Sequence, residues 1–419
     1  VKAFSIRKNF SKMFSIRLCL SLTALLFAHL WFLSPASGEI QLAAKGQLSA
    51  NATDKSGLVE TLRAGDEQIP HNRLGGFSAI AYTGKDDLYW ALPDRGPRDG
   101  ATAYACRVQL LKIALPEAGR PLKIELVATR LLKTEAGEQL VGSAKAFDLL
   151  NPEKSLRFDC EGLRTGRRGQ LFISDEYGPT LYEFSPEGIR QRTCPVPANV
   201  KIDKPDSDPL KERASNRSGR LPNGGMEGLA ISPDGSTLWG LMQNPLIQDE
   251  GENGKYLRLI SIPTAGGPSR QFPYQLESAG LGISEILAVN THEFLCIERD
   301  SIGGMAAVMK KIIKIDVSPA GQFATEISQV TALTKKKGPA SIQAVKKSEF
   351  INLLNPTFGL AGASFPKKVE GLTFGPRVGK KISLIVCSDN DFDATQPSQF
   401  FWFTFDESDL PGFQAQQFE

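Results

Sequence analysis

The sequence predicts an all-β protein, a β-propeller of antiparallel four-stranded blades, and three observations carry the prediction. Helical periodicity is scarce, while short apolar runs such as Leu88–Leu92, Leu171–Ile173, Leu238–Met242, Phe294–Ile297 and Ile382–Val386 are bounded by Gly, Pro, Asn and Asp. Tetrads such as Ser185-Pro186-Glu187-Gly188 and Ser232-Pro233-Asp234-Gly235 separate runs as hairpin turns do. One plan also recurs five times: a polar residue, a short apolar strand, a turn, a second strand and a polar pair. Units of this kind bury their faces only by packing against copies of themselves, and blades around a central channel are the natural solution.

The N-terminal segment stands apart from this pattern. It opens with Lys2, Arg7, Lys8, Lys12 and Arg17, continues with an apolar run over Leu18–Leu33 and ends on Ser34-Pro35-Ala36-Ser37-Gly38. A basic head, an apolar middle and a small-residue exit describe a secretory signal peptide over residues 1–38. The expectation is a secreted or periplasmic protein in which residues 39–419 form the working domain. The apolar run is short for a span, so no stable membrane anchor is expected after cleavage. Met13 would start a more ordinary signal than Val1.

The five repeats follow in order. The first joins Gly76–Ala81 to Leu88–Arg95, the second Cys160–Leu163 to Leu171–Glu176, and the third Met226–Ile231 to Leu238–Asn244. The fourth joins Ser284–Val289 to Phe294–Arg299, and the fifth Val369–Phe374 to Leu384–Asn390. Ser78, Glu161, Glu227, Glu285 and Glu370 open the first strands and lie 58 to 85 residues apart. Blades need roughly 40–50 residues, so the spacing suits six blades with insertions, or five. Two insertions stand out. Lys201–Gly225 is polar and leads into Met226-Glu227, a place for a lid that carries Arg217, Arg220 and Asn223. Lys335–Phe365 begins with the lysine run Lys335-Lys336-Lys337, a solvated turn, and carries a short helix at Ile342–Leu354.

Composition excludes several chemistries. Five of the 49 Lys and Arg, and none of the 46 Asp and Glu, lie in residues 1–38, so residues 39–419 carry a net charge of about −2 and nothing global favours nucleic acid. His71 and His292 are the histidines after the signal, which leaves a Ser-His-Asp hydrolase only two possible bases. G-x-S-x-G, H-E-x-x-H, a Walker loop and C-x-x-C are all absent. Cys106, Cys160, Cys194, Cys296 and Cys387 are too widely spaced for a disulfide framework, although an exported chain can oxidise two of them; Cys296 and Cys387 lie in apolar runs as buried thiols.

Residues that open the first strands of a propeller meet at one mouth of its channel, and the far ends of the second strands return there. The sequence therefore places Ser78, Glu161, Glu227, Glu285 and Glu370 in a ring, with Asp94, Arg95, Asp175, Glu176, Asn244, Glu298, Arg299, Asp389 and Asn390 close by. Carboxylates facing one axis need a cation, paired arginines or bound protons. Oxygen ligands without His or thiolate suit Ca²⁺ first among divalent ions. The expected metal ligands are Glu161, Glu227, Glu285, Glu370, Asp389 and Asn244. The expected catalytic residues are Asp175 or Glu176 as general base, with Arg95 and Arg299 gripping the developing charge. The same glutamates can instead bond neighbouring blades as an architectural device.

The motifs Gly75-Gly76-Phe77-Ser78, Pro93-Asp94-Arg95-Gly96, Asp159-Cys160-Glu161-Gly162-Leu163, Ser174-Asp175-Glu176-Tyr177-Gly178, Asn223-Gly224-Gly225-Met226-Glu227-Gly228-Leu229 and Glu370-Gly371-Leu372 resemble the phytase-like family, labelled "esterase-like activity of phytase". The resemblance runs from about Leu74 to Phe405. It implies a secreted or periplasmic β-propeller hydrolase acting on small-molecule phosphoesters or other esters, with Ca²⁺ as in β-propeller phytases. Ser78 departs from the glutamate of the other repeats. A non-catalytic binding propeller and a lactonase-like hydrolase are the alternatives, the latter because such propellers also set Glu, Asn and Asp around one ion.

Overall fold

The apolar runs fall on strands, and the strands form five sheets of four. A computed structural model describes residues 39–117, 119–151, 154–318, 324–334 and 342–419. The signal segment and the Lys335-Lys336-Lys337 run lie outside the described residues. Blade one holds β4 (Phe77–Tyr82), β5 (Leu88–Pro93), β6 (Arg107–Ala114) and β7 (Lys123–Leu131). Blade two holds β8 (Cys160–Thr165), β9 (Leu171–Asp175), β10 (Thr180–Phe184) and β11 (Arg190–Cys194). Blade three holds β12 (Met226–Ile231), β13 (Thr237–Met242), β14 (Tyr256–Pro263) and β15 (Arg270–Gln275). Blade four holds β16 (Gly282–Ala288), β17 (Glu293–Arg299), β18 (Lys310–Asp316) and β19 (Lys346–Asn352). In blade five, β20 (Lys368–Val378), β21 (Lys381–Asp389) and β22 (Ser398–Phe405) are completed by β1 (Gln41–Leu48), which pairs antiparallel with β22. A separate hairpin, β2 (Thr61–Ala64) and β3 (Glu67–Pro70), precedes blade one.

The propeller therefore has five blades, the smaller of the two expected counts. The residues that suggested a sixth are spent on long connections, including 132–159 and 195–225, the latter with a single short helix α1 (Pro209–Ser215). The helix expected at Ile342–Leu354 is not formed. Lys346–Asn352 is β19, whose alternation lets it pair with β18 and finish blade four.

The core is divided among the blade interfaces. Five apolar clusters each join two neighbouring blades: Leu92 with Leu163, Phe172 with Leu229, Trp239 with Phe294, Leu295 with Leu384, and Ile385 with Tyr89. Each sheet thus buries both faces, as radial packing requires. Gly162, Gly228 and Gly371 let the inner strands close in. A Cβ would meet Glu227 O at 2.8 Å from Gly162, Ile286 N at 2.9 Å from Gly228 and Ile80 N at 3.0 Å from Gly371. The five cysteines among the described residues are buried free thiols.

Candidate functional site

Each inner strand carries one irregularity at its start, and that irregularity builds the site. The β4–β5, β12–β13, β16–β17 and β20–β21 ladders skip Ser78, Glu227, Ser284 and Glu370, and the β8–β9 ladder skips Glu161 together with Gly162. A bulged residue leaves the regular alternation and is re-aimed. The ring is therefore Ser78, Glu161, Glu227, Ser284 and Glu370. In blade four the ring position belongs to Ser284, not to Glu285. Glu285 occupies the position held by Gly228 and Gly371 in their blades.

That one-residue offset sends Glu285 away from the mouth. Its carboxylate accepts hydrogen bonds from the Leu229 and Ile286 amides at 3.1 and 3.0 Å and lies 3.0 Å from Arg164. Arg164, on β8, also donates to Ile80 O and Ile286 O at 3.2 and 2.6 Å, so it crosses from blade two to blades one and four. Both side chains are buried. Burial raises the Glu285 carboxyl to about 8 against the pull of Arg164. This pair closes the channel as a floor.

Above the floor opens a cavity of about 680 Å³. Of the expected site residues, Arg95, Glu161, Glu176, Glu227, Asn244, Arg299 and Glu370 line it, whereas Asp175, Glu285 and Asp389 do not. Asp175 is used by a turn, accepting from Asp159 N, Tyr177 N and Thr180 Oγ1 at 3.1, 3.1 and 3.0 Å. Its carboxyl is raised to about 6 by burial. Asp389 accepts from Lys368 Nζ at 2.8 Å and from Asp391 N at 2.7 Å.

The carboxylates of the mouth fall into two groups. Glu370 is hydrogen-bonded to Arg299, whose Nε donates to Ser284 Oγ at 3.2 Å. Asp159 is hydrogen-bonded to Arg95, which also bonds Asn223 Oδ1 and lies 3.6 Å from Glu176. Glu176 accepts from Gly225 N at 2.9 Å. Against these, Glu161 and Glu227 have no hydrogen-bond or ion-pair partner among the described residues, and Glu227 Oε2 and Asp159 Oδ1 are buried orphans. Burial, Glu176 and Glu370 push the Glu227 carboxyl well above the usual range. Burial, Glu227 and Asp159 do the same to Glu161. Burial and Asp159 lift Glu176 to about 7, with Arg95 opposing. Buried carboxylates without partners are rare because desolvation is not offset.

Oxygens of Asp159, Glu161 and Glu176 lie within 4.8 Å of one another, close enough to share one ion. The donors are all oxygen, and Asp159 Oδ1 is buried without a partner, so the residues fit a hard cation such as Ca²⁺. Neither histidine is at the mouth. His71 Nδ1 bonds Glu60 while Nε2 accepts from Ala105 N, and His292 sits at a turn beside Asp316. Sequence reasoning missed Asp159 as a donor and Lys368 as a cation. Asp159 stood in the Asp159-Cys160-Glu161 motif, whereas nothing marked Lys368, which sits two residues before Glu370 and ion-pairs with Asp389 and Asp391.

A five-bladed propeller with bulge-borne acids at one mouth and a sealed floor is thereby defined. The chain belongs to the phytase-like family described as "Esterase-like activity of phytase", which matches residues 72–392. An uncharacterized secreted protein of Arthroderma benhamiae is 28% identical over 345 aligned residues, which cover 64% of this chain and 64% of that relative. Solved structures of similar architecture include a PQQ-bound aldose sugar dehydrogenase from Streptomyces coelicolor, at 12% identity and a TM-score of 0.34 over 89% of this chain and 99% of that one. Regucalcin, a calcium-binding protein from Agrobacterium tumefaciens, is 9% identical with a TM-score of 0.36 over 82% and 97% of the two chains. Likenesses of this size carry nothing about chemistry.

Proposed function

We propose that this protein is an exported hydrolase of small-molecule esters, phosphoesters foremost, assisted by Ca²⁺ at the propeller mouth. The observation that carries the reading is the Glu227 carboxylate, buried, without a partner, and facing the cavity beside Glu161 and Glu176. Asp159, Glu161 and Glu227 would hold the ion, with Glu370 and Asn244 beside them. A bound Ca²⁺ would neutralise these acids and stabilise the negative charge that grows on an ester's oxygens during hydrolysis.

The chain's own groups supply the rest. Glu176, held by the Gly225 amide and beside Arg95, is placed to take a proton from attacking water and return it to the leaving group; its proton affinity, raised to about 7 without an ion, would be lowered by Ca²⁺ alongside. Arg95 fixes Glu176 and Asn223, and Arg299 fixes Glu370, so the acids are held in one geometry. Arg73, Arg98, Lys367 and Lys368 also line the cavity. Arg98 is paired with Glu67 and Lys367 with Asp391, while Arg73 has no acidic partner among the described residues. Lys368 is paired with Asp389 and Asp391, and carboxylates outnumber basic side chains in the lining, so an anionic substrate would be drawn in by the bound cation together with Arg73. The signal-like N-terminus and the secreted relative favour export.

The test is hydrolysis of a panel of phosphate and carboxylate esters with Ca²⁺ added and with chelator. Turnover that needs Ca²⁺ and falls at least a hundredfold in Glu227→Gln is expected. Turnover that survives chelation would overturn the role of the ion. Folded protein without turnover across the panel would overturn the hydrolase reading.

A further inference from the structure

A second cavity, of about 360 Å³, lies under the 203–223 insertion and shares Arg95, Asp99 and Asn223 with the mouth. Its floor is organised around Arg157. The guanidinium lies over the Phe147 ring at 4.1 Å and the Tyr177 ring at 4.3 Å, and Nη1 donates to the Asp206 carbonyl at 3.0 Å. Arg157 is only 8% exposed, yet it ion-pairs with no carboxylate among the described residues. The two other arginines of this cavity are committed. Arg95 is bound to Asp159, and Arg220 to Glu212 at 2.7 Å and to Tyr177 O. The nearby acids are engaged too: Asp99 lies 3.5 Å from Arg95, and Asp175, the carboxylate acting most strongly on Arg157, accepts from Asp159 N, Tyr177 N and Thr180 Oγ1. Glu212 also accepts from Asp206 N at 3.1 Å, and Asp206 Oδ1 accepts from Asp208 N at 2.9 Å.

A buried guanidinium held flat by two rings, with no anion of its own, is an oxyanion receptor in waiting. Stacking fixes the plane, and with Nη1 on the Asp206 carbonyl the Nε and Nη2 donors remain for a bidentate grip. The Tyr177 ring connects the two cavities, because Arg95 also lies over it at 5.8 Å.

We infer that this side cavity is a subsite for an oxyanion, a phosphate or carboxylate group, on the non-reacting part of the substrate. The subsite rests on the ester-hydrolase reading for its role but not for its existence. It makes the preferred substrate at least doubly anionic, with one group at the mouth and another at Arg157.

The experiment is a titration of the intact protein, in chelator, with inorganic phosphate and separately with acetate. The readout is the Arg157 Nε–H resonance by NMR, assigned through its loss in Arg157→Lys. A saturable shift with either anion is expected, and the anion that gives it identifies the group. Ala144 lines the cavity, so Ala144→Phe, which fills the space and keeps the arginine, should weaken binding by about tenfold or more, the scale of a charge-assisted hydrogen bond. No saturable shift with either anion, or an undiminished shift in Ala144→Phe, would overturn the subsite. A saturable shift in a protein that hydrolyses no ester would keep the subsite and sink the hydrolase reading.

Discussion

The channel buries glutamates at two neighbouring depths, and it treats them differently. At the floor, Glu285 has an arginine and two backbone amides. At the mouth, Glu227 has neither. The floor is a paired unit that ties blades one to four together through one side-chain pair, although Arg164 Nε has no hydrogen-bond partner and burial still raises the Glu285 carboxyl to about 8. The mouth is unfinished, and its carboxylates are held protonated or await a cation. Structure and function are thus separated along the axis by the depth at which a carboxylate is left alone.

Breaking the floor should have the largest effect. Glu285→Ala leaves Arg164 buried and unpaired, and about 3–5 kcal/mol of stability should disappear in denaturant unfolding. A loss below about 1 kcal/mol would show that the floor is not the staple described. At the mouth, Glu227→Gln should do the reverse in chelator, leaving stability unchanged or slightly raised because an unpaired carboxyl is removed. Ca²⁺ at about a hundred times its dissociation constant should stabilise the wild type by about 2.7 kcal/mol. It should do so far less in Glu227→Gln, as read from the midpoint of thermal unfolding. Equal Ca²⁺ stabilisation of both proteins would place the ion elsewhere.

The contrast also has a pH signature. Glu176 binds its proton more tightly folded than unfolded, about 7 against the ordinary 4.5 of a glutamate. Between these values the folded state holds more protons, so metal-free stability should fall as pH rises from about 4.5 to about 7. Glu176→Gln should flatten that slope, as followed by unfolding at several pH values; an unchanged slope would assign the protons to another group. The smallest effect should come from the two ring serines. Ser78 Oγ is buried without a partner, whereas Ser284 Oγ accepts from Arg299 and donates to Val369 O at 2.8 Å. Ser78→Ala should change stability by less than about 0.5 kcal/mol and Ser284→Ala should cost about 1 kcal/mol. Equal values would remove the distinction between them.

The architecture was legible because each repeat writes the same instructions: bulge residue, small residue, apolar strand, turn. The ring was legible in blades two, three and five for the same reason, since Glu161-Gly162, Glu227-Gly228 and Glu370-Gly371 mark both the bulge and the close approach behind it. Blade four was misaligned because glutamate was matched to glutamate. The signal against it was Ile286, where a glycine should follow. Ser78 had already shown that serine fits the ring. What stayed illegible depended on side-chain partners from distant blades. Nothing local tells Asp175, which serves a turn, from Glu176, which faces the cavity. The 342–354 segment was misread because its pairing partner β18 lies across a long connection.

The pairing of β1 with β22 has a consequence in time. Leu42 meets Phe403 across almost the full length of the described chain. Four blades form from consecutive strands, but the fifth waits for both extremities, and such distant partners meet slowly. During synthesis the circle stays open, with β1, the outermost strand of blade five, made first and left unpaired until β20, β21 and β22 emerge. The mouth, whose Glu370 lies on β20 of that same blade, is completed only when these last-made strands join the ring, so the site comes into being late in folding.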